Sequence, residues 1–207
     1  MFFSKNLIKK SKINHCFFSK KNGVSKNDYK SLNCGLGSKD KRANVIKNLH
    51  IVSKKIGCKY KNIITMKQMH SNKILYFGKN SEIKKKLICD AILTSKKKIC
   101  ISVLSADCVP ILIYDPVKDI VGAIHSGWRG AYQEIIQKTL KKLLKLGSQK
   151  KNLIIAIGPC ISQKNYEVGL NFVSKFLYKN KINKIFFKKK NRSFFFDLRK
   201  YVEYQFK

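Results

Sequence analysis

Cys108 and His125 are the residues whose types and spacing offer chemistry most directly. Cys108 precedes an apolar run that begins at Pro110, and His125 follows a run that ends at Ile124. Between the runs lies Asp115-Pro116-Val117-Lys118-Asp119, a turn sequence with Pro well placed. Two strands joined by such a turn are antiparallel, and their outer ends lie side by side. A thiol and an imidazole are thereby brought within reach of each other. That pair serves either a nucleophilic thiolate with its base or a metal site. His70, in Gln68-Met69-His70-Ser71, stands at the end of another short strand and is a third candidate. Two His and one Cys suit Zn²⁺ with a fourth position open to water or substrate, which is the catalytic pattern. Such an ion lowers the pKa of its water or polarises a substrate group. Spacing alone leaves a packing role as open as a metal role, because a lone Cys is commonly a small buried apolar residue.

Around these three lie further candidates. His125-Ser126-Gly127-Trp128-Arg129-Gly130 places the chain's one Trp and one of its four Arg between glycines, at the start of an expected helix. Free N–H groups there favour an anion, and Arg129 could grip phosphate or carboxylate. The simpler alternative is a tight strand-to-helix turn that needs Gly. Asp107 and Asp90, two of only 11 acidic residues, lie next to strand ends near the same place. Either could act as a general base or orient a metal-bound His. Cys160, in Gly158-Pro159-Cys160, ends a strand and either lines the same cleft or packs. His15 and His50 read as structural.

The elements that must position these residues follow from periodicity. Residues 41–57 carry Val45, Ile46, Leu49, Val52 and Ile56 at helical spacing, stopped by Gly57. Residues 1–35 read as short strands and turns. Strands are expected at 62–66, 73–77, 89–94, 99–104, 110–114, 120–124, 153–157 and 194–198. Residues 81–88 read as a Lys-rich surface loop. Residues 131–146 form one helix with an apolar stripe of Ile135, Ile136, Leu140, Leu143 and Leu144. Another helix is expected over 168–178. The pattern implies an α+β fold, an α/β sandwich of mixed sheets flanked by helices. No GxGxxG or GxxxxGK[ST] occurs, so neither phosphate-loop class is supported.

Composition narrows the partners. The net charge is +34, but only Arg42, Arg129, Arg192 and Arg199 are Arg among 45 basic residues. Bidentate phosphate grip and base readout favour Arg, so the excess Lys reads as solvated surface, with no specific nucleic-acid partner. A field this positive still attracts anions in a salt-dependent way. The seven Cys form no CxxC pair, and no apolar run reaches the ~18 residues of a membrane span. A cytoplasmic protein with reduced thiols and no membrane partner is expected.

Several segments together resemble one family, the laccase-domain or YfiH-like proteins, also called polyphenol oxidases. They are Gln68-Met69-His70-Ser71, Ser105-Ala106-Asp107-Cys108-Val109-Pro110, Ala123 through Gly130, and Ala156-Ile157-Gly158-Pro159-Cys160-Ile161 with Tyr166-Glu167-Val168-Gly169. Ser31-Leu32-Asn33 and Asp90-Ala91 match as well, and the resemblance runs from about residue 15 to about 200. It implies a YfiH-like fold with a metal, usually zinc, on His70, Cys108 and His125, copper being the older attribution. It implies phosphorolysis of adenosine, inosine and methylthioadenosine, and deamination of adenosine, with a nucleoside and phosphate as partners. In that reading Cys108, His125 and Asp107 are catalytic, and Arg129, Asp90 and Cys160 contact substrate or phosphate. Two alternatives are a peptidoglycan-precursor amidase or hydrolase using Cys108 and His125, and a copper-dependent polyphenol oxidase. Residues 1–207 read as one catalytic domain of this family, shortened at its C-terminus.

Overall fold

β-branched runs alternate with amphipathic ones along the chain, and most take the form their period dictates. A computed structural model describes residues 1–83 and 87–207. The strands are β1 (Ile63–Ile64), β2 (Ile74–Phe77), β3 (Ala91–Thr94), β4 (Cys100–Ile101), β5 (Val109–Asp115), β6 (Ile120–Ser126), β7 (Ile154–Ile157), β8 (Glu167–Val168), β9 (Phe187–Lys190) and β10 (Ser193–Phe196). The α-helices are α1 (Lys5–Ile8), α2 (Arg42–Ile56), α3 (Trp128–Tyr132), α4 (Ile135–Lys145), α5 (Leu170–Lys179) and α6 (Leu198–Tyr204). The result is a mixed α/β architecture. A five-stranded sheet has the order β2-β3-β6-β5-β7, with β2 and β3 parallel and the other neighbours antiparallel. A smaller antiparallel sheet has the order β8-β10-β9, and β1 pairs in parallel with β4.

The β5–β6 hairpin is the spine of the site. Asp115 accepts from the N–H groups of Val117 and Lys118 at 2.8 and 3.1 Å, which closes the turn. The register sets Val109 opposite Ser126, Pro110 opposite His125 and Ile111 opposite Ile124. One slip of that register would turn every side chain over. Burial holds it: Leu93, Ile111, Ile113 and Ile124 pack in one core with Ile135, Ile136 and Leu143 of α4, and with Phe176, Phe196 and Val202. Each fully buried apolar side chain contributes about 1.5–3 kcal/mol. Ile124→Ala is expected to cost about 2–5 kcal/mol. It would loosen the strand at the residue before His125.

Three expectations from sequence differ. The helix expected over 131–146 is two helices, broken at Gln133 and Glu134, and Glu134 is left-handed with φ 67°. The break is held from elsewhere in the chain. Lys179 donates to Tyr132 O, Gln205 to Ala131 O at 2.9 Å and Asn72 to Gln133 O at 2.8 Å. These bonds satisfy carbonyls that a continuing helix would have used. The strands expected over 62–66 and 99–104 shrink to Ile63–Ile64 and Cys100–Ile101, which pair with each other. Residues 1–35 hold α1, a short 3₁₀ turn at Asn27–Tyr29 and a lone bridge from Phe2 to Phe17 in place of strands. Of the loop expected at 81–88, residues 84–86 lie outside the described residues. Among the described residues no helix is long and apolar enough to cross a membrane.

Candidate metal centre

Register explains why the expected partners meet. Ile124 faces the main core, so the next residue, His125, points to the opposite face of the sheet. Pro110 stands opposite His125, and Cys108, two residues earlier, extends the same face. On the other side β3 sets Ala91 opposite Ile124, which brings Asp90 opposite His125, and the His125 N–H donates to Asp90 O at 2.7 Å. Opposed residues on one face have touching side chains. Here His125 Nδ1 lies 2.9 Å from Asp90 Oδ1, with the two side chains 4% and 0% exposed.

His70 arrives from a separate segment. The Asp90 carboxylate accepts from the backbone N–H groups of Met69 at 3.2 Å, His70 at 3.0 Å and Ser71 at 2.7 Å, and from the Ser71 hydroxyl at 2.6 Å. That grip holds His70 in a left-handed conformation, φ 55°, which is uncommon for a residue with a Cβ. The outcome is a triangle. The ligand atoms of His70, Cys108 and His125 all lie within 4.8 Å of one another. Cys108 Sγ is 3.6 Å from His70 Nε2, and the two imidazole rings meet edge to face, 4.8 Å between centres.

The Cys108–His70 edge of the triangle has the length that a bound metal requires. Zn–N of ~2.05 Å and Zn–S of ~2.3 Å at a tetrahedral angle put sulfur and nitrogen about 3.6 Å apart. Gly127 leaves the room, since a Cβ there would stand 2.7 Å from His70 Cδ2 and 2.8 Å from Cys108 Sγ. Asp90 also selects the ligating nitrogen. An ionised carboxylate only accepts, so in the neutral imidazole of His125 the proton sits on Nδ1 and Nε2 is the atom left to ligate.

Electrostatics follow the same contacts. Burial opposes charge on Asp90, but hydrogen bonds from His125, from the Ser71 side chain and N–H, and from Met69 N–H hold its carboxyl well below the usual range. Burial likewise opposes protonation of His125, and the bonds to Asp90 and Cys108 outweigh it, raising its pKa to about 9 in the metal-free protein. The His70 pKa is lowered by burial, then by the charges of His125 and Arg129.

The remaining candidates divide. Asp90 faces the two histidine segments with its oxygens occupied by five donors, so the orienting role is the one its geometry offers. His70, Cys108, His125 and Asp107 line one groove of ≈ 2200 Å³, together with Gln68, Asn33 and Pro159. That is larger than the ~300–1,000 Å³ of a usual small-molecule cleft, so the site is an open trough. Asp107 is exposed there, and its carbonyl accepts from Ile161 N–H at 2.9 Å. Arg129 is exposed and outside that lining, with its guanidinium 5.4 Å from the Trp128 ring centre and its charge felt at His70. It belongs to α3, five residues long, so the long helix read at this point begins later, at Ile135. Cys160 packs against the main core. His15 accepts from Ser4 N–H at 2.8 Å and His50 stacks on Tyr60 at 4.2 Å. Sequence reasoning gave no role to Gln68 or Ser71, although both stand in a quoted segment. Their contacts reach across 36 and 19 residues of chain, which no local spacing reveals.

Comparison with known proteins places the chain. The family model described as multi-copper polyphenol oxidoreductase laccase matches residues 14–207. A purine nucleoside phosphorylase of Rickettsia conorii is 36% identical over 173 residues, 81% of this chain and 70% of the relative. The purine nucleoside phosphorylase YlmD of Bacillus subtilis is 33% identical over 160 residues, 73% of this chain and 58% of the relative. This chain thus spans between 58% and 70% of those two relatives. Among solved structures, the hypothetical protein YfiH of Bacillus licheniformis superposes with a TM-score of 0.80 at 24% identity, over 90% of this chain and 74% of its own. A Neisseria meningitidis protein does so with a TM-score of 0.78 at 26% identity, over the same shares.

Proposed function

The chain belongs to the family described as multi-copper polyphenol oxidoreductase laccase, and on that premise we propose that it is a zinc enzyme cleaving purine nucleosides with phosphate. Adenosine, inosine and methylthioadenosine are the substrates in this reading, and adenosine is also deaminated. One observation carries it: His70, Cys108 and His125 form a three-ligand triangle open to a groove, in a chain whose relatives are named purine nucleoside phosphorylases. The described residues offer one such triangle, which supports a single ion. Two imidazoles and a thiolate favour zinc over a hard cation.

His70, Cys108 and His125 hold the ion. When bound, the zinc supplies a Lewis acid that lowers the pKa of a water and polarises a substrate group. Asp90 keeps the His125 proton on Nδ1 and the His70 segment in place. Arg129, exposed at the margin of the groove with its charge felt at His70, binds phosphate and so brings its attacking oxygen to the ribose carbon that bears the purine. Asp107, exposed in the groove, is the general base that accepts a proton from water during deamination, and the departing purine nitrogen takes its proton from solvent.

Product analysis with adenosine, with and without phosphate, tests the reading. Adenine together with ribose 1-phosphate is expected only when phosphate is present, and inosine is expected in both cases. Ribose without its phosphate as the sugar product would show a hydrolase and reject the phosphorylase assignment.

A further inference from the structure

Asp90 joins two of the three segments that carry the ligand triangle. The third, leading to Cys108, is exposed from Leu104 to Asp107 and is held differently. β1 and β4 pair as Ile63 with Cys100 and Ile64 with Ile101, and Ser102 N–H still donates to Ile64 O at 3.0 Å. Beyond that rung the two segments part. Lys67 turns to residues 87–89, donating to Leu87 O at 2.7 Å and accepting from Cys89 N–H at 3.3 Å. Among the described residues, the segment continuing from β4 has no backbone partner at Val103 and Leu104. Gln68 supplies a substitute. Its Nε2 donates to Leu104 O at 2.8 Å, and its Oε1 accepts from Leu104 N–H at 2.7 Å. A carboxamide carries the same donor and acceptor as a peptide group, so the side chain makes both bonds of a missing β rung.

We infer that Gln68 is a positioning residue of the metal centre, a side-chain strap that ties the His70 segment to the Cys108 segment. Gln68 stands two residues before His70, and Leu104 four before Cys108. Among the described residues its two bonds are the hydrogen bonds that join residues 65–71 to residues 103–107. Besides the Cys108 Sγ–His70 Nε2 contact of the triangle itself, the loop is tied by Ile161 N–H to Asp107 O at 2.9 Å and by the Ser105 hydroxyl to Cys108 O within the loop. The β5–β6 register anchors Cys108 from its C-terminal side at Val109, and the strap is the anchor on its N-terminal side, so the two together set how far the sulfur stands from the His70 nitrogen. Its purpose rests on the metal reading above, whereas its existence rests on the two bonds.

The test uses Gln68→Ala, which removes both bonds, and Gln68→Glu, which keeps the volume but sets an oxygen against Leu104 O. Cobalt(II) serves as a spectroscopic stand-in for zinc, because a bound thiolate adds a thiolate-to-cobalt charge-transfer band. In both variants metal affinity is expected to fall about 10- to 100-fold. The charge-transfer band is expected to weaken relative to the ligand-field bands, as Cys108 departs before the imidazoles. Amide exchange in the metal-free Gln68→Ala protein is expected to quicken at residues 103–108 and not in the hairpin strands. Wild-type affinity with an unaltered band in both variants overturns the inference. If the unsubstituted protein binds neither cobalt nor zinc, the metal reading itself fails. The strap is then judged on exchange alone, and unchanged exchange at residues 103–108 overturns it.

Discussion

The Asp90 carboxylate and the His125 imidazole meet at 2.9 Å across two antiparallel strands, with almost no exposure to water. The same carboxylate gathers the N–H groups of Met69, His70 and Ser71. One buried charge thus holds two candidate ligands that lie 55 residues apart in sequence.

Replacing that charge is expected to damage both segments at once. Asn at position 90 keeps the volume but turns an NH₂ toward groups that themselves donate. Asp90→Asn is expected to weaken metal binding about 10- to 100-fold. It is also expected to cost about 3–5 kcal/mol in urea unfolding of the metal-free protein, as for a broken buried pair. A loss under about 1 kcal/mol would show that the contact does not hold the segments.

The pair also gives a pH signature. His125 is raised from 6.5 to about 9, so its contribution to metal-free stability is complete below pH 6.5 and fades as pH rises to about 9. Asp90 is held below its ordinary 3.8, so its contribution is present above that value and fades in acid. The stability gap between the unsubstituted protein and Asp90→Asn is therefore expected to be widest between about pH 4 and 6.5. Metal binding must displace the His125 proton and take Cys108 as a thiolate, so affinity is expected to rise at least about tenfold per pH unit over 6.5 to 9. Calorimetry in buffers of different ionisation enthalpy counts the released protons, and none released at pH 7 would contradict the assignment.

Gly127 is the steric counterpart. Its missing Cβ would stand within 2.8 Å of both His70 and Cys108. Gly127→Ala is expected to empty the site while circular dichroism stays near that of the unsubstituted protein. Full zinc content by elemental analysis would show that the triangle is looser than its geometry implies.

Arg129 is expected to separate the two proposed reactions. Arg129→Ala is expected to raise the phosphate KM of phosphorolysis at least about tenfold, the loss of one charged hydrogen-bond partner. Deamination uses no phosphate and is expected to fall less. Equal losses in both would place Arg129 on the nucleoside and not on phosphate.

How much of this was legible in the sequence follows from distance along the chain. Cys108 and His125 could be paired because the Asp115–Asp119 turn is local and sets the register of everything before and after it. His70 had no such local link; its place depends on β2 running beside β3 and on Asp90 reaching five donors. The break at Glu134 carried no Gly or Pro to announce it, because Lys179, Gln205 and Asn72 stabilise it from afar. The short β4 was misread for a related reason. Residues 102–104 have the apolar pattern of a strand, but past Ser102 their partner at Leu104 is a glutamine side chain.

Cys108→Ser provides the most direct test of the central claim, read by zinc content and nucleoside turnover in the same preparations. About one zinc per chain with phosphorolysis is expected in the unsubstituted protein, and both are expected to vanish together in the variant. Full zinc in Cys108→Ser, or undiminished turnover from protein stripped of zinc, would contradict it.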